Sequence, residues 1–211
     1  MKHWLLALVA AALTACRQPT AAPPTADNAR PTATGYAINL PEGMQKARQN
    51  SEFEWWRTGP AYCQMHLCLY AYRSDSLNAA EYVERRNDIM RRNIKGASDS
   101  IYMSTFVPSV RSQKARRNGR TVMRISGMWQ MEGDMMGGPF VSHCILDSPT
   151  RRVVVAEAFV YAPDYDKTAM MNRLEKAVQT LHPLQKKART APDKSRMQKE
   201  TLHNPRRNDK T

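Results

Sequence analysis

Glycine is scarce in this 211-residue chain, with nine in all, and 19 acidic residues face 32 lysines and arginines. So few glycines exclude a collagen-like chain, and 42 % apolar residues exclude disorder from end to end. After Leu13 there is no apolar run long enough to span a bilayer, which excludes a polytopic helical membrane protein. Internal repeats, a nucleophile elbow, an HExxH pair and a phosphate-cradling loop are also missing; Gly137-Gly138 precedes a strand pattern where a phosphate loop needs a helix.

What is present begins at the amino terminus. Lys2 and His3 precede an unbroken apolar run from Trp4 to Leu13, followed by Leu13-Thr14-Ala15-Cys16. The run is too short for a mature transmembrane helix, and small residues before a cysteine read as the cleavage site of a bacterial lipoprotein signal. Residues 1–15 are therefore expected to be a signal peptide, with Cys16 the lipidated first residue of the mature chain. Acyl chains such as palmitate contribute about 0.8 kcal/mol per buried methylene, so several of them make a durable anchor.

The net charge of +13 is uneven: nine basic and three acidic residues fall in 185–211, against 18 and 14 in 52–184. An exported chain meets little nucleic acid, so no nucleic-acid partner is expected, and a basic tail fits an anionic envelope component. Residues 16–51 carry Pro19, Pro23, Pro24, Pro31 and Pro41 with few bulky apolar side chains, the composition of a tether. The division that follows is a signal peptide at 1–15, a lipidated tether at 16–51, a domain at 52–184 and a basic disordered tail at 185–211.

Within the domain the pattern is α+β. Residues 62–72 alternate with period two and predict a strand with one apolar face. Asn78 is placed to cap a helix reaching about Ile94, with Tyr82, Val83 and Met90 on its apolar side, Arg85, Arg86, Arg91 and Arg92 mostly on its wet side and Gly96 as its stop. Further strands are expected at about 100–107, at 120–131 after an Asn118-Gly119 turn, at 140–146 and at 152–161, the last three as a meander. A closing helix at about 166–181 carries a stripe of Met170, Met171, Leu174, Ala177, Val178 and Leu181. The simplest packing is an antiparallel sheet of about five strands with both helices on one face.

With Cys16 set aside, Cys63, Cys68 and Cys144 allow at most one intrachain disulfide. Cys63 and Cys68 lie about 17 Å apart on an extended strand, so a bridge needs Cys144 on a neighbouring strand; three buried apolar thiols are the favoured alternative. Cys63, Met65, His66 and Cys68, with His143, Cys144 and Met128, Met131, Met135 and Met136, have the softness to hold copper or zinc, but a strand sends them to opposite faces. No metal and no cofactor is expected. The leading candidates for a binding surface are Trp55, Trp56, Trp129, Gly137, Gly138 and Phe140, in and around the loop 132–139.

The run Gly127-Met-Trp129-Gln-Met-Glu-Gly-Asp134-Met-Met136-Gly-Gly-Pro-Phe-Val-Ser142 and the run Phe159-Val-Tyr-Ala-Pro163 resemble a Bacteroidota family of predicted lipoproteins, domain of unknown function 4837. The likeness is best over about residues 120–182, and the family's greater length implies that part of the amino-terminal half is missing here. The resemblance implies an envelope lipoprotein and supplies no catalytic residues. In that phylum acidic residues after the lipidated cysteine accompany surface display, and Arg17-Gln18-Pro19-Thr20 has none, so a periplasm-facing place at the outer membrane is expected. The leading function is a lipid-anchored, non-enzymatic binding or assembly module with an envelope protein partner. The alternative is an envelope enzyme or metal-handling protein using Cys63, His66, Cys68, His143 or Cys144.

Overall fold

The computed structural model describes residues 29–32, 34–117 and 119–184. The expected signal peptide, Cys16, Asn118 of the expected turn and the tail from 185 onward lie outside them. In chain order the described residues form β1 (Ala29–Pro31), β2 (Tyr36–Asn39), β3 (Gln45–Gln49), β4 (Phe53–Thr58), β5 (Gln64–Arg73), α1 (Ala79–Asn93), β6 (Tyr102–Arg117), β7 (Arg120–Glu132), β8 (Gly137–Asp147), β9 (Arg152–Tyr161), α2 (Thr168–Val178) and β10 (His182–Pro183). No helix among them is long and apolar enough to cross a membrane.

The main sheet has seven strands in the order β3-β4-β5-β9-β8-β7-β6, every neighbouring pair antiparallel. It is larger than the five or so strands expected. The meander β7-β8-β9 holds as anticipated, closed by a 3-10 turn at Ser148–Thr150. β3 and β4 are additions from the segment read as tether and from its border. β3 is exposed along its whole length, so backbone pairing to β4 holds it and no apolar periodicity announces it. The tether expected at 16–51 is thus shortened, since β1, β2 and β3 all belong to folded sheets.

The helices also depart from expectation: they lie on opposite faces of the sheet. Leu67, Leu69, Val154, Ala156 and Ala158 pack with Leu174 and Val178 of α2, together with Tyr36 and Ile38 of β2. Cys68, Tyr70, Val155, Phe159, Met123 and Cys144 pack with Tyr82, Ile89 and Met90 of α1. β5 and β9 are consequently buried on both faces, as the near-continuous apolar run Val153–Val160 requires of a central strand. A small sheet, β1-β2-β10, brings the chain after α2 back against β2.

Local chemistry sets the helix limits. Asn78 Oδ1 accepts hydrogen bonds from the backbone N–H groups of Ala80 at 2.8 Å and Glu81 at 3.2 Å, satisfying two donors that the first turn leaves unpaired. α1 ends at an extended Ile94, whose N–H donates to the Met90 carbonyl, two residues before Gly96. Before α2, Asp166 Oδ1 accepts from the Thr168 N–H at 3.0 Å and from its hydroxyl at 2.8 Å.

Candidate functional site

The residues proposed as a binding surface divide between core and surface. Trp129 is 2 % exposed, donates its indole N–H to the Val160 carbonyl at 3.2 Å and packs edge-on against Phe159. Trp56, Gly138 and Phe140 are buried too, so these four are corrected from surface to core. The reason is local: a side chain at Gly138 would run into the Val160 carbonyl oxygen and the Trp129 indole, so this glycine lets β8 lie close beneath the tryptophan. Trp55 is half-buried and Gly137 is exposed, and with the wholly exposed Met135 they are what remains of the expected surface.

Cysteine and histidine are not assembled into a reactive site. Cys63, Cys68 and Cys144 are buried thiols that form no disulfide among the described residues, and β9 separates the strands that carry Cys68 and Cys144. Burial, reinforced by nearby Glu157, pushes both of those thiols well above the usual range and keeps them protonated. His66 stacks on Phe159 with ring centroids 4.4 Å apart, and its Nδ1 accepts the Trp55 indole N–H at 3.1 Å. Burial and then the charge of Arg57 lower its pKa to about 3, so it is a neutral acceptor. No three His, Cys, Asp or Glu side chains converge as metal ligands among the described residues.

Sequence reasoning missed the polar centre of the molecule. Arg86 of α1 and Glu157 of β9 are both fully buried and joined by a 2.7 Å bond from Arg86 Nη2 to Glu157 Oε1. Glu157 Oε2 also accepts from the hydroxyls of Tyr70 at 2.8 Å and Tyr82 at 3.0 Å. Arg86 Nη1 donates to Thr105 Oγ1 at 2.9 Å, and the guanidinium lies 4.4 Å above the Phe140 ring. Burial opposes the charge on Arg86, but Glu157 beside it holds its pKa above the ordinary value. Desolvation and the same carboxylate raise Tyr70 and Tyr82, which stay protonated donors. The set is sealed by the helix and spends its hydrogen bonds internally, so it fastens α1 to the middle of the sheet.

The open chemistry lies at the other end of the sheet. The β6–β7 hairpin, residues 102–132, carries Arg111, Lys114, Arg116, Arg117, Arg120 and Arg124, and its one carboxylate, Glu132 at the far end of β7, accepts from the Ser104 hydroxyl. β6 is an edge strand, and beyond Ser104 its outer side pairs with no strand among the described residues. Residues 111–117 are exposed on both faces. A bulge between Phe106 and Arg111 takes in Pro108, and beside it Phe106, Val107 and Met128 are exposed apolar side chains. Proline, bulge and cations discourage a like-charged copy from pairing there, while leaving backbone groups and positive charge for an acidic strand.

Architecture and site together define a mixed α/β domain, a wide antiparallel sheet clasped by one helix on each face, with a closed polar centre and an open cationic edge. The chain belongs to the family described as Domain of unknown function (DUF4837), whose model matches residues 25–180. No curated protein matches the sequence. Among solved structures, the Saccharomyces cerevisiae Ran-binding protein Mog1p is similar with a TM-score of 0.44 and 10 % identity, over 71 % of this chain and 90 % of that one. A point mutant of protein Mog1 is similar with a TM-score of 0.44 and 9 % identity, over 72 % and 92 % of the two chains.

Proposed function

We propose that the protein is a lipid-anchored, non-enzymatic binding module of the bacterial cell envelope, held by Cys16 at the periplasmic side of the outer membrane and presenting its β6 edge to an acidic segment of an envelope protein. The observation that carries this reading is the unpaired, carboxylate-free edge strand at residues 111–117, whose main-chain groups give affinity and whose cations select the partner. The export signal and lipobox pattern at residues 1–16 support the anchor, and the basic tail adds charge of the same sign for anionic headgroups.

In-cell cross-linking followed by purification tests the reading with three forms at matched expression: wild type, Cys16→Ala and the double reversal Lys114→Glu/Arg116→Glu. Both reversed positions are exposed, so folding is preserved. The wild type is expected to capture one discrete envelope protein that both variants lose. Equal capture by the reversed edge overturns the surface, and equal capture without the anchor overturns the role of the lipid.

A further inference from the structure

On the α2 side of the sheet, the tip of the β6–β7 hairpin, β8 and the chain after α2 enclose a pocket of about 590 Å³, within the range of small-ligand sites. Arg117 and Arg120 stand at its mouth, Val122, Ile145 and Leu184 supply apolar wall, and His143 and His182 are among the remaining lining residues. No carboxylate lines it. The nearest acidic side chains are already engaged, Glu175 by Arg124 and Asp147 by Arg152. The far wall is fixed: the Leu184 N–H donates to the Gly35 carbonyl at 3.0 Å, and Arg117 Nη1 donates to the Gln179 carbonyl at 3.2 Å.

His143 is the unexplained member. It is 6 % exposed, lines the pocket and makes no hydrogen bond to any described residue. Its ring nitrogens are not among the solvent-sealed polar atoms, so they face the open pocket, where a ligand can reach them. Facing it are Arg117 from β6, Arg124 across the strand pair and Arg120 from β7, Glu175 of α2 behind Arg124, and His182 from β10. Positive charge therefore predominates around a ring that has no hydrogen-bonded anion of its own. The cationic tail beyond residue 184 has the wrong sign to fill the pocket.

We propose that this pocket binds an oxyanion joined to an apolar body, a phosphate- or carboxylate-headed amphiphile, with Arg117 and Arg120 on the head, His143 donating to it and the aliphatic wall against the body. Paired guanidiniums suit an oxyanion, and an apolar wall rewards a hydrocarbon continuation that a free inorganic ion lacks. Burial, followed by Arg117, lowers the pKa of His143 to about 4, so the empty pocket holds a neutral ring near neutrality. An anion placed against it favours the imidazolium, so binding takes up a proton. This site uses different residues from those reversed in the edge test, and neither result decides the other.

Titration calorimetry of the full chain carrying Cys16→Ser, free of lipid and detergent, tests the assignment with decyl phosphate, decanoate, inorganic phosphate and neutral decyl maltoside, each below its micellar threshold. Buffers of differing protonation enthalpy read the proton. Saturable one-to-one binding of decyl phosphate or decanoate is expected, the tighter of the two naming the head group. Arg117→Gln/Arg120→Gln, at exposed positions, should weaken it by roughly tenfold or more. Proton uptake should be present in the wild type and absent in His143→Gln. Equal affinity for decyl maltoside, or none lost in the double arginine variant, overturns the oxyanion half. Equal affinity for inorganic phosphate overturns the apolar half, and affinity and proton uptake both unchanged in His143→Gln remove His143 from the site.

Discussion

Arg86 on α1 and Glu157 on the central strand β9 meet inside the protein with neither side chain touching solvent, joined at 2.7 Å and enclosed by Tyr70, Tyr82, Ser142 and Thr105. This one pair ties the helix to the sheet at a point where every neighbour is a donor, an acceptor or a ring. Removing one partner strands the other as a buried unpaired charge. Arg86→Met and Glu157→Leu should each cost about 3–5 kcal/mol, whereas the double replacement should cost clearly less than their sum because it leaves no orphan charge. Urea unfolding of the four proteins gives the coupling directly, and additive losses would show that the pair is not a unit.

Trp129 of β7 reaches across β8 to β9 through one indole bond, to Val160, and two aromatic neighbours, Phe159 and Tyr161. Trp129→Ala should lower stability by about 3–5 kcal/mol. Gly138→Ala tests the same packing from the other side, since the added methyl meets the Val160 carbonyl and the indole. It should destabilise by about 1–3 kcal/mol and shift the tryptophan emission, whereas Gly137→Ala at the exposed neighbour should cost less. Denaturant midpoints with fluorescence check all three.

Much of this architecture was legible because local patterns and tertiary demands agree. The Asn78 cap, the α2 stripe from Met170 to Leu181 and the meander all left signatures in spacing and turn residues. β3 left none, since Gln45–Gln49 has no buried side chain and exists through its backbone bonds. The side of the sheet each helix takes is invisible to amphipathicity, which says which helix face is buried and not against what. Two signals were nevertheless available. Arg86 falls between Tyr82 and Met90 on the apolar stripe of α1, and Glu157 interrupts the apolar run Val153–Val160; an arginine and a glutamate in such positions call for each other. The pocket at His143 depends on a long-range meeting of β6, β8 and β10, which no single stretch encodes.

The three thiols at Cys63, Cys68 and Cys144 are buried, and those of Cys68 and Cys144 are held protonated by burial and Glu157. In the Cys16→Ala chain, a charged aromatic disulfide reagent should modify none of them in the native state on the timescale of minutes. All should react once the chain is unfolded. Rapid native reaction at Cys68 or Cys144 would place a thiolate in an accessible site and revive the reading of these residues as nucleophiles or metal ligands.

His66 gives stability a defined dependence on pH. Its ring is buried between Trp55 and Phe159 and its pKa lies at about 3, below the ordinary 6.5 of an exposed histidine, because burial and then Arg57 disfavour the imidazolium. Between those values the unfolded chain binds a proton that the native chain does not, so this contribution is complete above about 6.5 and is lost as pH falls toward 3. His143 acts in the same direction with its pKa at about 4, so a decline will persist, less steeply, when His66 alone is removed. His66→Phe keeps a flat ring to stack on Phe159 and takes away the titrating nitrogen, at the cost of the Trp55 bond. Its stability at neutral pH should fall modestly, by about 1 kcal/mol, while its slope against pH between 6.5 and 4 becomes shallower than that of the wild type. Urea midpoints measured across that interval decide it: parallel curves for the two proteins would mean that His66 is already protonated in the folded state.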